Sequence, residues 1–147
     1  MKAFFAALFG AGSKLSDLEK IVLNCVRDHL GGVTAARWDE QVKAINKIQR
    51  LPDGVEVNFY RMKKGHASFE GQLAFANKTE ELLVAKVQIG LPNVTERLRA
   101  NVWCVKGFLF SIEYEGSVKY FEEAAAIDPV LKVQVSCELT GDLGRTA

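Results

Sequence analysis

The hydrophobic period of this chain changes from about 3.6 to two at Leu51-Pro52-Asp53-Gly54, and that change constrains the fold more than any other feature. Before it, apolar residues recur at helical spacing. Leu18, Ile21, Val22, Cys25, Val26 and Leu30 form one stripe, with Asp17, Lys20, Asn24, Arg27 and Asp28 opposite. Ser16-Asp17-Leu18-Glu19 is a capping box: the Ser16 hydroxyl takes the Glu19 amide, and the Glu19 carboxylate takes the Ser16 amide. Gly31-Gly32 stops this helix. Thr34 is placed to cap a second one, running to about Arg50, with Trp38, Val42, Ile45 and Ile48 or Gln49 as its stripe.

After the turn the period is two. Val55, Val57 and Phe59 alternate with Glu56, Asn58 and Tyr60. Beyond a hairpin tip at Lys63-Lys64-Gly65-His66, Phe69, Gly71, Leu73 and Phe75 alternate with Ser68, Glu70, Gln72 and Ala74. Leu83, Ala85, Val87 and Ile89 make a third strand; Leu98, Ala100, Val102 and Cys104 make a fourth. Lys106-Gly107 is a tight turn into a fifth, whose apolar side is Phe108, Phe110, Ile112 and Tyr114. The segment 117–126 reads as a helix, with Ser117 placed to cap it and good helix formers from Phe121 to Ala126, and Asp128-Pro129 ends it. Leu131, Val133, Val135 and Cys137 form a last strand, and the polar tail from Thr140 onward reads as loose.

Short connections predict antiparallel neighbours in a meander. Strands with one apolar face need cover on that face only, and the two N-terminal helices supply it. The expected fold is therefore α+β: two layers, about six mostly antiparallel strands, two helices on one face, and a short helix before the last strand. With 147 residues the chain is sized for one domain, and folding hides roughly two thirds of its surface without staples. Residues 1–12 read as a short amphipathic arm. Its Phe4, Phe5, Leu8 and Phe9 share a face that can dock on the domain, on a partner, or on a second copy.

Charge and cysteine content narrow the function. Nineteen basic against 18 acidic residues leave a net charge of +1, which draws the chain neither to nucleic acid nor to a membrane surface. Three cysteines without paired spacing do not make a disulfide framework and suit a reducing cytoplasm. No apolar run reaches the length of a membrane span.

Catalytic signatures are missing. Cys25 and His29, four apart, share a helix face and can hold a metal only if further ligands arrive, with Cys104 or Cys137 as the sheet's candidates; a packed thiol and an imidazole suiting the helix dipole is the simpler reading. Neither a metal nor a cofactor is therefore expected. No thiolate–base–orienter set is legible, and Glu70 and Glu113 beside Arg97 and Arg99 read as cross-strand ion pairs rather than acid–base machinery. Gly10-Ala11-Gly12-Ser13 lacks the lysine ending of a phosphate loop, and Arg61, Lys63 and Lys64 are too few for a nucleic-acid footprint.

What remains is the face the helices leave open. Trp103, Arg97, Arg99, Tyr60, Asn101, Glu70 and Glu113 are its candidate binding residues, because an indole among arginines on a wet face is the composition of an interface anchor. The competing place for Trp103 is beneath the tail or the 117–126 segment. The run Asn101-Val102-Trp103-Cys104-Val105-Lys106-Gly107-Phe108-Leu109-Phe110-Ser111-Ile112-Glu113-Tyr114 resembles a hairpin cassette of small, single-domain bacterial proteins of immunity type. That resemblance implies a protein partner, a toxin that the chain neutralises by binding. The expectation is a non-enzymatic, cytoplasmic protein-binding module. The alternative is a small-ligand protein or minor enzyme, with Cys104 or Glu113 in a pocket between the sheet and residues 117–126.

Overall fold

The computed structural model describes residues 14–92, 95–116, 118–127 and 133–145. Helix α1 spans Asp17–Asp28 and α2 spans Gly32–Ala44; strands β1 (Lys47–Arg50) and β2 (Glu56–Tyr60) follow. Met62–Lys63 and His66–Ala67 are β3 and β4, a small separate hairpin. Then come β5 (Leu82–Gly90), β6 (Leu98–Val105), β7 (Phe108–Glu115), α3 (Val118–Ile127) and β8 (Gln134–Leu139). Six strands form one antiparallel sheet in the order β1-β2-β7-β6-β5-β8. The fold class read from the sequence is the one observed: α+β, with two helices ahead of the sheet and a short one before its last strand.

The layer forms because the apolar side of each element has one place to go. From α1, Leu18, Val22, Cys25 and Val26 meet Val87 and Ile89 of β5, Val102 of β6 and Ile112 of β7 in one buried cluster. Trp38 of α2 lies 6.2 Å from the ring of Phe75, and Val118 and Phe121 bring α3 into the same core. Each such side chain contributes about 1.5–3 kcal/mol on leaving water. The capping box exists as read, with Glu19 N 3.1 Å from Ser16 Oγ and Ser16 N 2.8 Å from Glu19 Oε1. The Glu19 carboxylate is then taken bidentately by Arg50 at 2.8 and 2.9 Å, which ties the start of α1 to β1. Helices α1 and α2 pack against the sheet, and no described helix is long and apolar enough to cross a membrane.

Several expectations need correction. The second helix ends at Ala44, and Ile48 and Gln49 belong to β1. Asn46 makes the break: its side chain donates to Met62 O at 2.8 Å and accepts from Met62 N at 2.6 Å, as a strand partner would. Residues 69–75 form no strand. Gly71–Leu73 is a single 3-10 turn, Phe69 stands 57% exposed, and Phe75 N donates to Gly107 O at 2.8 Å. Without that strand the meander covers only β5, β6 and β7, and β2 pairs with β7 instead. The tail is not loose through its described part: Leu143 is buried in the core, and Asn77 holds it through bonds to Leu143 O and Asp142 O at 3.0 and 2.9 Å. Phe4, Phe5, Leu8 and Phe9, and with them the proposed dimer contact, lie outside the described residues.

Candidate binding face and a thiol–imidazole cluster

Directly paired residues share a face of the sheet, so the register assembles the open face row by row. At one end Lys47 pairs with Tyr60, and the Lys47 ammonium sits 5.9 Å from the Tyr60 ring centre. The next row runs Gln49, Asn58, Ser111, Trp103, Leu83. Then come Glu56, Glu113, Asn101, Lys86 and Glu138. Glu115, Arg99, Gln88 and Ser136 follow. Arg97 closes the series: a Cβ at Gly90 would come within 3.2 Å of its Nη1, so the bare glycine lets the guanidinium lie across β5.

Six of the seven residues picked from the sequence therefore share this face: Trp103, Arg97, Arg99, Tyr60, Asn101 and Glu113. Glu70 does not. It precedes the 3-10 turn beside the small hairpin and pairs with Lys63 at 2.8 Å. The strand that would have carried it into the sheet does not form. Trp103 is half-buried on the side away from α3, whose Val118 and Phe121 enter the opposite layer.

Sequence alternation missed two members of the face, for one reason. A bulge in β7 makes Phe110 an extra residue between Leu109 and Ser111, and a bulge in β5 does the same with Val84. Each bulge inverts parity beyond it. Leu109 and Val84, read as outward, become fully buried; Phe110 and Leu83, read as inward, turn to the open side. Phe110 meets Tyr60 edge-on at 5.5 Å. Leu83 lies opposite Trp103. The signal available beforehand was the broken alternation itself, Val84-Ala85 and Phe108-Leu109-Phe110.

The face is thus graded. One end is apolar and aromatic, with Tyr60, Phe110, Trp103 and Leu83. Beyond it the β2–β7 side carries Glu56, Glu113 and Glu115, and the β5–β6 side carries Lys86, Arg97 and Arg99. Glu56 and Glu113 are directly opposed across the strands, an arrangement that costs stability. Among the described residues neither has a salt-bridge partner; Glu113 accepts one long bond from Asn101 at 3.4 Å.

Cys104 and Glu113, the alternatives for a pocket beside 117–126, lie on opposite faces of the sheet. Cys104 is sealed in the core, where burial pushes its thiol well above the ordinary range, while Glu113 stands on the other face. A cleft of about 450 Å³ lies elsewhere, between the α1–α2 turn and residues 139–144, lined by His29, Thr34, Thr140 and Asp142 among others. Beside it, Cys137 of β8 lies near Cys25 of α1 and His29, which caps that helix, so the last strand brings in the third residue the sequence left open. No protein-family model matches this chain, nor does any curated protein or solved structure.

Proposed function

We propose that the protein is a non-enzymatic binding module that holds a protein partner against its open sheet face. The supporting observation is the aromatic corner of Tyr60, Phe110 and Trp103: regular pairing puts Tyr60 and Trp103, and the β7 bulge puts Phe110, on the side that no described element covers. A half-buried indole beside apolar side chains on an otherwise polar face is a usual energetic centre of an interface. The opposed Glu56 and Glu113 add selectivity, because a basic group on the partner relieves their repulsion. Blocking a toxin requires such complementarity and no chemistry. The hairpin resemblance makes a cognate toxin in the cytoplasm the leading partner.

The test is quantitative co-purification of the tagged full chain from its native cells, after mild cross-linking. The unaltered protein should retain a partner in near-stoichiometric amount. The double variant Trp103→Ala/Phe110→Ala should lose at least about tenfold of it, as truncating anchor residues does. Equal recovery by both forms would remove the face from the account.

A further inference from the structure

The geometry points to a metal site: Cys25, His29 and Cys137 form a three-donor site for a zinc ion. The placement follows from the elements. Cys25 and His29 are four residues apart at the end of α1, so their side chains lie one above the other. Cys137 pairs with Val87 on the core-facing side of β8, the edge strand against which α1 packs. Both sulfurs and a ring nitrogen of His29 lie within 4.8 Å of one another. A tetrahedral ion with bonds of about 2.0–2.3 Å to nitrogen and sulfur needs its donors a little closer than that, a movement within reach of side-chain rotation.

The imidazole's tautomer is already set. His29 Nδ1 lies 2.8 Å from the Cys25 carbonyl oxygen. A carbonyl only accepts, so Nδ1 carries the proton in the neutral ring and Nε2 keeps its lone pair. Fixing the tautomer through a backbone carbonyl is how metal-binding histidines are commonly held. Neither thiol is in a disulfide. Two sulfurs and one imidazole select zinc over calcium or magnesium, which prefer oxygen. Cys25 is buried, Cys137 half-buried and His29 exposed, so the ion has a path in from solvent. Three protein donors leave a fourth position for water, and His29 also lines the adjoining cleft. This site and the aromatic corner lie on opposite faces of the sheet, so either can stand without the other.

The test is titration of the reduced, full-length protein with Co2+ as spectroscopic probe, followed by displacement with Zn2+. One equivalent should produce thiolate-to-cobalt charge transfer and the visible bands of a tetrahedral ion, and Zn2+ should abolish them. His66→Ala, which alters the other histidine, should leave the titration unchanged. Cys137→Ser and His29→Ala should each lose the one-to-one bands while keeping the far-ultraviolet circular dichroism of the parent. Exposed His29 makes the second of these safe for folding. No band in the reduced parent protein, or a band that survives Cys137→Ser, overturns the site. So does formation of a Cys25–Cys137 disulfide with no metal uptake before oxidation.

Discussion

Gln41 shows how much of this fold hangs on single polar side chains. It is fully buried, yet every polar atom of its amide is used. Its Oε1 accepts from Leu109 N at 2.8 Å, and its Nε2 donates to Gly107 O at 2.9 Å and to Leu73 O. One amide thereby joins α2, the β6–β7 turn and the 3-10 turn. Arg61 braces the same region, donating to Gln41 O and Leu109 O at 3.1 and 3.0 Å and lying over the Phe108 ring. Burial lowers its pKa to about 10, which still leaves it charged at neutral pH. Truncating Gln41 orphans the Leu109 amide and the Leu73 carbonyl, each costing on the order of 1–3 kcal/mol before relaxation, while Gly107 O keeps its bond from Phe75 N. Gln41→Ala should lose about 2–4 kcal/mol, read as a lower urea midpoint at unchanged slope. Tyr114 is the opposite case. Its hydroxyl is buried without a hydrogen-bond partner among the described atoms. Burial, with Glu19 and Glu122 nearby, holds it well above the ordinary value of 10.0. Native protein therefore keeps that proton at pH values where the unfolded chain releases it. Stability falls as pH rises above the ordinary phenol value, by up to about 1.4 kcal/mol per pH unit from this group. Tyr114→Phe should be no less stable at pH 7 and should flatten that alkaline decline in a pH series of urea melts.

At the scale of elements, the sequence reading succeeds where one local rule acts alone and fails where tertiary pairing decides. The capping box, the alternation of β2 and β6, and the two glycine turns need only neighbours along the chain to be recognised. Ile45 and Ile48 fit a helical stripe, but Ile48 fits alternation as well, and four residues are too few to separate the periods; pairing with β2 settles it. Phe69, Leu73 and Phe75 alternate convincingly, yet Phe69 meets Phe108 edge-on at 5.4 Å while Phe75 turns to Trp38. The bulges hid Phe110 and Leu83, whereas Cys137 was legible as a residue but its distance from Cys25 was not. The two turns also give a contrast in design. Lys64-Gly65 and Lys106-Gly107 both have positive φ at each position, 53° and 80° in the first, 51° and 90° in the second. A Cβ at Gly65 meets nothing within 4 Å, whereas at Gly107 it meets Phe75 O at 3.1 Å and Ala74 Cβ at 3.2 Å. Gly65→Ala should cost only backbone strain, on the order of 1 kcal/mol. Gly107→Ala should cost clearly more, because the same strain adds to a clash with backbone that cannot rotate away. Equal urea midpoints for the two variants would mean that the β6–β7 turn is not packed against residues 74–78.

For the molecule as a whole, the chain closes on itself at one corner. The first described helix and the last strand meet there, and residues 140–145 continue past β8 to seal the end of the core. Thr140 N and Gly141 N both donate to Val84 O, at 2.8 and 3.1 Å, so the tail docks on the carbonyl that the β5 bulge leaves free of the ladder. Gly141 passes so close that a Cβ there would come within 2.8 Å of Leu83 O. Leu143, at 2% exposure, fills the space behind. This arrangement makes residues 140–145 part of the cooperative unit, although their composition reads as solvent-facing. Leu143→Ala should therefore behave as a core truncation and lose about 2–4 kcal/mol. Native-state hydrogen exchange separates this from local fraying. Edge strand β8 is bonded only to β5 within the sheet, while β6 has partners on both sides. If the tail is integral, Leu143→Ala lowers protection in β6 and β7 together with β8, because the whole layer loses the same free energy. If only β8 and the tail exchange faster, while β6 and β7 keep their parent rates, the corner opens by itself and the core ends at β5.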